Sequence, residues 1–550
     1  MDRKAFGLVL HSHLPWVLSH GVWPHGAEWL FEAAAETYIP LLKVFNRLLG
    51  EGIQPNVTVG LTPVLVEQLS DEEFKSEFRG YLKAKRGSAL EDMREFEKSG
   101  LAGRAKVARM WVEFYEDVAE FFDAINHDIV GEFRRLQDAG AIEIITSAAT
   151  HGYLPLLGLD ECVRAQVEVG VRNYRRVFGR DPVGIWPPEL AYRPAYRWKA
   201  PVGDYPEIDR VGVEEIYHDA GIKYFIVDKH LLMGGKAIGT YLSLFEGLRA
   251  LWERAQKGTG FTDRPLSPYQ PYFAASGNSQ KPVAFFTRDP ETASRVWSRD
   301  LGYPGDPAYL EFHKRHFPGG HKYWRVTDSK LDLAEKAEYV PEMVEGPLEA
   351  QSSHFVELVN ATATRENGIV VAPFDTELFG HWWFEGPEWL YRVIKKLNSE
   401  NSDVRPVKLR DYLEAFPPDE VVSLPEGSWG EGGFHWVWLN EWTEWTWERI
   451  YEMEHRVVSL IKSGREIDGE LMEQILKELL LLESSDWQFL ITTWSARDYA
   501  ENRFSEHYEM LKKLLQIAED GMDEDGRRYL HSVRSRDRLF PGVVSPELWK

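Results

Sequence analysis

Gly184-Ile185-Trp186-Pro187-Pro188-Glu189-Leu190-Ala191-Tyr192 is the stretch around which the chain is organised. The apolar run from Pro182 to Trp186 reads as a buried strand, and the two prolines after it cannot donate to a ladder, so they end it. The first residue past the break is a carboxylate, Glu189, with Trp186, Tyr192 and Tyr196 close by in sequence. Reactive groups of parallel barrels sit at the C-terminal ends of strands, which is where this carboxylate falls. The plainer reading is a loop glutamate that caps the next helix. The rest of the chain decides between the two.

Six further apolar, β-branched runs share the pattern of a strand ended by polar residues and followed by helical periodicity. They are Ala5–Leu10, ending in His11-Ser12-His13; Asn56–Leu61, ending in Thr62-Pro63; Ala141–Ser147, leading to Thr150-His151; Ile222–Val227, ending in Asp228; Pro282–Phe286, ending in Thr287-Arg288-Asp289; and Ile369–Pro373, ending in Phe374-Asp375-Thr376-Glu377. Seven buried strands separated by helices predict an α/β fold, an incomplete (β/α)7 barrel over residues 1–410, with its active face at the strand C-termini. An open doubly wound sheet would bring a glycine-rich phosphate turn after the first strand, and a histidine pair stands there instead. Excursions are expected at about 64–138 (helical, its charged part 71–100 on the surface), 231–281 and 300–350, the last two as binding loops or lids. From 411 to 550 strands are expected to stop. Amphipathic helices over Glu444–Ser463, Gly469–Glu483 and Glu501–Gly521 predict an all-helical C-terminal domain that lends Trp residues to the cleft, and 532–550 reads as a surface tail.

Composition narrows the partners. The chain carries a net charge of −23, which argues against nucleic acid and anionic membranes, since both select basic patches. No apolar run is long enough for a bilayer, and Met1–His13 lacks the apolar core of a signal peptide. One cysteine, Cys162, excludes an intrachain disulfide framework and reads as a buried thiol in a helix. The expected location is cytoplasmic. Of the 21 Trp residues, several cluster with Gly and acidic residues at 382–389 and 429–447, which suits a groove lining better than a core.

Two constellations could do chemistry. His11 and His13 point the same way from a strand end. With His151 and a rim carboxylate they make either a metal site or a set of imidazoles for sugar hydroxyls. Asp375 and Glu377 also share a face, with Trp382 and Trp383 following. A carboxylate from the fourth strand and one from the seventh can meet across a barrel mouth. In a retaining mechanism one attacks the anomeric carbon while the other, its pKa raised, protonates the leaving oxygen. Glu377 would orient Asp375 or raise its pKa through like charge. Trp297 follows the helix cap Asp289-Pro290-Glu291-Thr292 and reads as core or as site. Trp429, flanked by Ser and Gly, reads as a sugar platform, and Trp442, Trp445 and Trp447 as packing.

These residues carry a resemblance. His11-Ser12-His13-Leu14-Pro15, Glu143 to His151, Trp186-Pro187-Pro188-Glu189 and Ala372-Pro373-Phe374-Asp375-Thr376-Glu377-Leu378-Phe379-Gly380-His381-Trp382 resemble, in order, the sequence regions of glycoside hydrolase family 57. Within the family the chain is most similar to the 1,4-α-glucan branching enzymes. The resemblance implies a (β/α)7 barrel with a C-terminal helical domain, and a retaining transferase that cleaves α-1,4 bonds and forms α-1,6 branches in α-glucans such as amylose and glycogen. It implies no metal and no cofactor. It makes Glu189 the nucleophile and Asp375 the general acid/base, and places His13, His151, Trp297, Trp429 and Trp438 as substrate-binding groups, with His11 beside them and Asp486 in a further region near the site. It also implies a lid tyrosine after the fifth strand, for which Tyr241 is the candidate and Tyr269 and Tyr272 are rivals. The alternatives are an α-amylase or 4-α-glucanotransferase using the same carboxylates, a metal-dependent hydrolase built on His11, His13 and His151, and a non-catalytic glucan-binding protein.

Overall fold

All eight residues of strand β1, Ala5–Ser12, are buried, because a parallel strand is covered on both faces by helices and by its neighbours. The computed structural model describes residues 2–233, 266–277, 279–298 and 301–550. The seven expected strands are present as β1, β2 (Val57–Leu61), β3 (Ile142–Ser147), β4 (Gly184–Trp186), β5 (Tyr224–Val227), β6 (Val283–Thr287) and β7 (Ile369–Asp375). They lie parallel in the order β7-β1-β2-β3-β4-β5-β6. The sheet curls until β6 and β7 approach at its two ends. There one parallel bridge, Arg288 to Val371, and the Asp289 N–H on the Val371 carbonyl at 2.9 Å hold the seam. The barrel is therefore incomplete. The outer edge of β6 is taken by the antiparallel Tyr272–Ala274, which pairs in turn with Val421–Val422. Pairing thus continues past residue 410, where strands were expected to stop.

Val9, Ile145, Ile226, Phe286 and Val371 fill the barrel interior, with Trp186 at its upper end. Leu409 and Tyr412, on the helix Leu409–Ala415, plug the lower end. Glu143 lies at that lower end, at the start of β3. It accepts from Thr58, Tyr224 and the Arg410 amide, and burial pushes its carboxyl up to about 7.

The helical excursion is a hairpin of Glu72–Lys98 and Ala102–Ala124. The segment from 301 to 344 packs on this hairpin instead of forming a lid. Trp111 donates to the Lys322 carbonyl at 2.8 Å and Tyr323 to Asp92 at 2.7 Å, and none of its residues lines the cleft described below. The C-terminal region holds five helices, Glu444–Lys462, Gly469–Leu482, Asp486–Thr493, Arg497–Asp520 and Glu524–Arg536. The last residues are no surface tail. Phe540 and Trp549 are fully buried, and the Phe540 amide donates to Glu67 at 2.9 Å, since two large rings at a chain end gain more from packing than from water. Cys162 is buried in the helix Asp160–Phe178, and among the described residues no helix is long and apolar enough to cross a membrane.

Candidate active site

The strand C-termini open into a cleft of about 220 Å³ lined by His11, His13, His151, Glu189, Asp375 and Asp486, with Trp186, Trp297, Trp382 and Trp429 among its aromatic walls. Glu189 owes its position to the proline pair. After β4 ends, Glu189 takes φ 63°, ψ 23°, a left-handed conformation that costs a non-glycine residue roughly 1–3 kcal/mol and is tolerated where surrounding contacts over-determine it. Those contacts are the Trp429 amide on the Glu189 carbonyl at 3.1 Å and two side-chain bonds into the carboxylate. Ser485 Oγ donates to Oε1 at 2.9 Å and Trp429 Nε1 to Oε2 at 2.8 Å. Trp429, expected as a stacking platform, thus also holds Glu189 through its indole N–H.

The histidines are plates. His13 lies 4.0 Å from His151 at 18°, and His11 lies 4.3 Å from Trp186 at 11°. Ser485 gives its proton to Glu189, so His151 Nδ1 at 3.0 Å must donate to Ser485. His151 Nε2 is then an acceptor, and His11 Nε2, 3.1 Å away, the donor. This leaves His11 Nδ1 a bare acceptor, in keeping with its buried, unpartnered state. Burial lowers the pKa of both His11 and His151 well below the ordinary value, so both are neutral near pH 7. His13 uses Nδ1 on Thr62 at 3.1 Å and Nε2 on Asp486 at 3.0 Å. The three imidazoles therefore present stacked faces with five of their six nitrogens engaged, and their lone pairs do not converge on one point, as the metal-hydrolase alternative requires.

Asp375 closes β7 opposite His11. Burial raises its carboxyl to about 6, against the pull of Arg288 and His13. Glu189 is raised to about 8 by burial, and Asp486 and Asp375 add to the shift. Glu377 is buried, accepts from Tyr38 Oη at 2.5 Å and the His13 amide at 3.2 Å, and is raised to about 8 by burial and by Asp375. Glu189 and Asp375 together hold one proton between about pH 6 and 8. Below that window both carboxyls are protonated and no nucleophile remains; above it both are ionised and no acid remains. The dependence of kcat/KM on pH is expected to be a bell with limbs near 6 and 8. A profile flat across those limbs would remove this pair from the rate.

Other expected residues fall as follows. Trp297, at the end of the Asp289-capped helix Pro290–Trp297, reaches the cleft and meets Trp382 edge-on at 6.0 Å. Trp438 does not. It is fully buried behind Trp429, stacked on Tyr153 at 4.4 Å, so it supports Trp429 instead of touching a ligand. Of the rings near Glu189 in sequence, Tyr192 is buried on Glu214 and Tyr196 turns out to Glu426, so only Trp186 faces the cleft. Trp447 is core, and Trp442 and Trp445 are half-buried. Tyr241 lies outside the described residues. Tyr269 and Tyr272 are buried, Tyr269 on Asp289 at 3.0 Å, and neither lines the cleft. Two lining groups were missed, Phe489 and Arg288, the latter ion-paired to Asp228, as was Ser485, buried behind the cleft on Glu189. Ser485 directly precedes Asp486, which was singled out. Arg288 was read only as a strand terminator.

The family described as glycosyl hydrolase family 57 matches residues 7–425, and a C-terminal family described for 1,4-alpha-glucan branching enzymes matches residues 449–546. The 1,4-alpha-glucan branching enzyme of Thermococcus kodakarensis is 42% identical over 98% of this chain and 78% of its own. The crystal structure of that enzyme in complex with glucose superposes with a TM-score of 0.89 at 40% identity, covering 99% of this chain and 96% of that one. The GH57-type branching enzyme of Pyrococcus horikoshii gives 0.87 at 39%, covering 99% and 97%. The alpha-amylase AmyC of Thermotoga maritima gives 0.81 at 28%, covering 100% and 99%.

Proposed function

We propose, from the premise that this chain belongs to glycosyl hydrolase family 57 and is a 1,4-α-glucan branching enzyme, that Glu189 and Asp375 carry the reaction by double displacement. Its substrate is an α-glucan; amylose and glycogen are the finer reading. One Glu189 oxygen attacks C1 of a donor glucose, the C1–O4 bond breaks, and the Asp375 proton goes to O4 of the departing chain. The acceptor C6 hydroxyl then gives its proton to Asp375 as its oxygen attacks C1, and Glu189 leaves as a carboxylate. The observation that carries this reading is one cleft holding both carboxyls, with Glu189 fixed by Ser485 and Trp429.

The reactive arrangement puts the shared proton on Asp375, whereas burial favours it on Glu189. The two donors already hold Glu189 below where burial alone would put it, and a glucan oxygen beside Asp375 provides the acceptor that draws the proton there. The neutral His11 and His151 relay anchors Ser485, so the donor to Glu189 is oriented before substrate arrives. His13 and Asp486, hydrogen-bonded to each other, offer polar edges for sugar hydroxyls, and the Trp walls offer flat apolar faces for pyranose rings.

A second reading, hydrolysis, draws on the likeness to the Thermotoga alpha-amylase, because the same two carboxyls would serve with water as acceptor. Incubation with linear amylose separates the two. Branching is expected to lower iodine staining with few new reducing ends, and a debranching enzyme should then release short chains. Reducing ends rising in step with the loss of staining would make water the acceptor.

A further inference from the structure

We infer that Trp436, Trp442 and Trp494 form a second glucan platform, outside the cleft, that holds the donor chain at a distance from the reacting bond. The inference rests on the α-glucan reading above. The helix Asp486–Thr493 begins in the cleft, where Asp486 and Phe489 are wall residues, and it ends at Trp494. From the wall residue Phe489 to Trp494 the helix advances about 7.5 Å, so Trp494 stands one to two glucose units from the cleft along one rigid element.

Trp494 is in the wrong place for packing. It is 62% exposed, and it occupies the left-handed position that closes the helix, φ 58°, ψ 14°, where glycine is the usual residue. A bulky residue there costs backbone strain and buries little in return, which marks a residue kept for contact with something else. Arg497 covers one face of the indole at 4.4 Å, and the exposure belongs to the rest of the ring. Trp442 meets Trp494 edge-on, centroids 6.1 Å apart at 87°, and Trp436 meets Trp442 at 6.3 Å and 69°. Three indoles in a connected row, continuous with an aromatic cleft through one helix, suit the curved apolar faces of an α-1,4-linked chain. The net charge of −23 disfavours a polyanion as the occupant.

Trp494→Gly in the full-length protein separates binding from structure, because glycine relieves the strain as it removes the ring. Thermal unfolding should be unchanged or shifted upward. Retardation in native gels containing glycogen should fall, and the ratio of KM for long amylose to KM for maltoheptaose should rise about fivefold. Trp494→Asn, which also tolerates the left-handed position, and Trp442→Ala should repeat the shift in that ratio. Wild-type retardation and an unaltered KM ratio in Trp494→Gly would overturn the platform. If purified wild type makes no branches, the functional reading fails whether or not these variants lose glycogen binding, so the two failures are distinguishable.

Discussion

Glu189→Gln is expected to lower turnover on amylose by roughly 10⁴-fold or more, the scale seen when a covalent nucleophile is removed. The fold should survive, because Gln keeps the shape and can accept from Trp429 while Ser485 turns to accept from its amide. Stability should even gain. Burial raises the Glu189 carboxyl to about 8, so its ionisation opposes folding. The wild type loses that stability progressively as pH rises from about 4.5 to about 8, and the neutral variant does not. Above the window the variant should be more stable by on the order of a few kcal/mol, read by thermal unfolding at pH 5 and pH 9. Asp375→Asn should be as inactive on amylose, yet α-maltosyl fluoride, whose leaving group needs no proton, should still load Glu189. Azide then gives the α-glycosyl azide from Asp375→Asn and the β-glycosyl azide from Glu189→Ala, where the deleted carboxylate leaves it room. The opposite stereochemistry would exchange the two roles, and full turnover in both variants would remove the pair from catalysis.

Gly380→Ala is expected to abolish soluble expression or lower the melting temperature by about 3 °C or more, a loss on the order of 3 kcal/mol or more. Gly380 holds φ +119°, and a methyl group on it would stand 1.8 Å from the Glu36 carbonyl oxygen, a backbone atom that cannot step aside. The helical stretch Ala34–Tyr38 that it touches also brings Tyr38 to Glu377 and Glu36 to Lys322 at 3.0 Å. Moving it would therefore disturb both the cleft floor and a buried ion pair. Gly52→Ala is the control. Its φ is +77°, but nothing lies within 4 Å, so the expected loss is about 1 kcal/mol from backbone strain alone. Equal losses in the two variants would show that the close approach to Glu36 carries no weight.

The strands were legible because each is a short apolar run cut off by Pro, His or Asp, and their positions hold to within two residues at most ends. The helices from Glu444 and Gly469 were legible from their periodicity, and the structure adds the cap of the second, Asp468, which accepts from Glu470 and Leu471. The short helix Asp486–Thr493 was not, since eight residues hold too few periods to register. The packed end of the chain was missed for a different reason. Phe540 and Trp549 stand among charged and turn-forming residues, and only their neighbours in space make them core.

By itself the sequence determined which elements form and which residues could react: seven parallel strands, a carboxylate after a proline pair, a second after the last strand, and a histidine pair after the first. These follow from local rules of backbone freedom and side-chain alternation, which act over a few residues. The tertiary structure alone decided what each group touches. It brought Ser485 across 296 residues to Glu189, set Trp438 behind Trp429 and out of reach of substrate, and gave the three histidines their stacked faces. Contacts between residues hundreds of positions apart depend on how helices and strands pack, and no local pattern in either partner records the other.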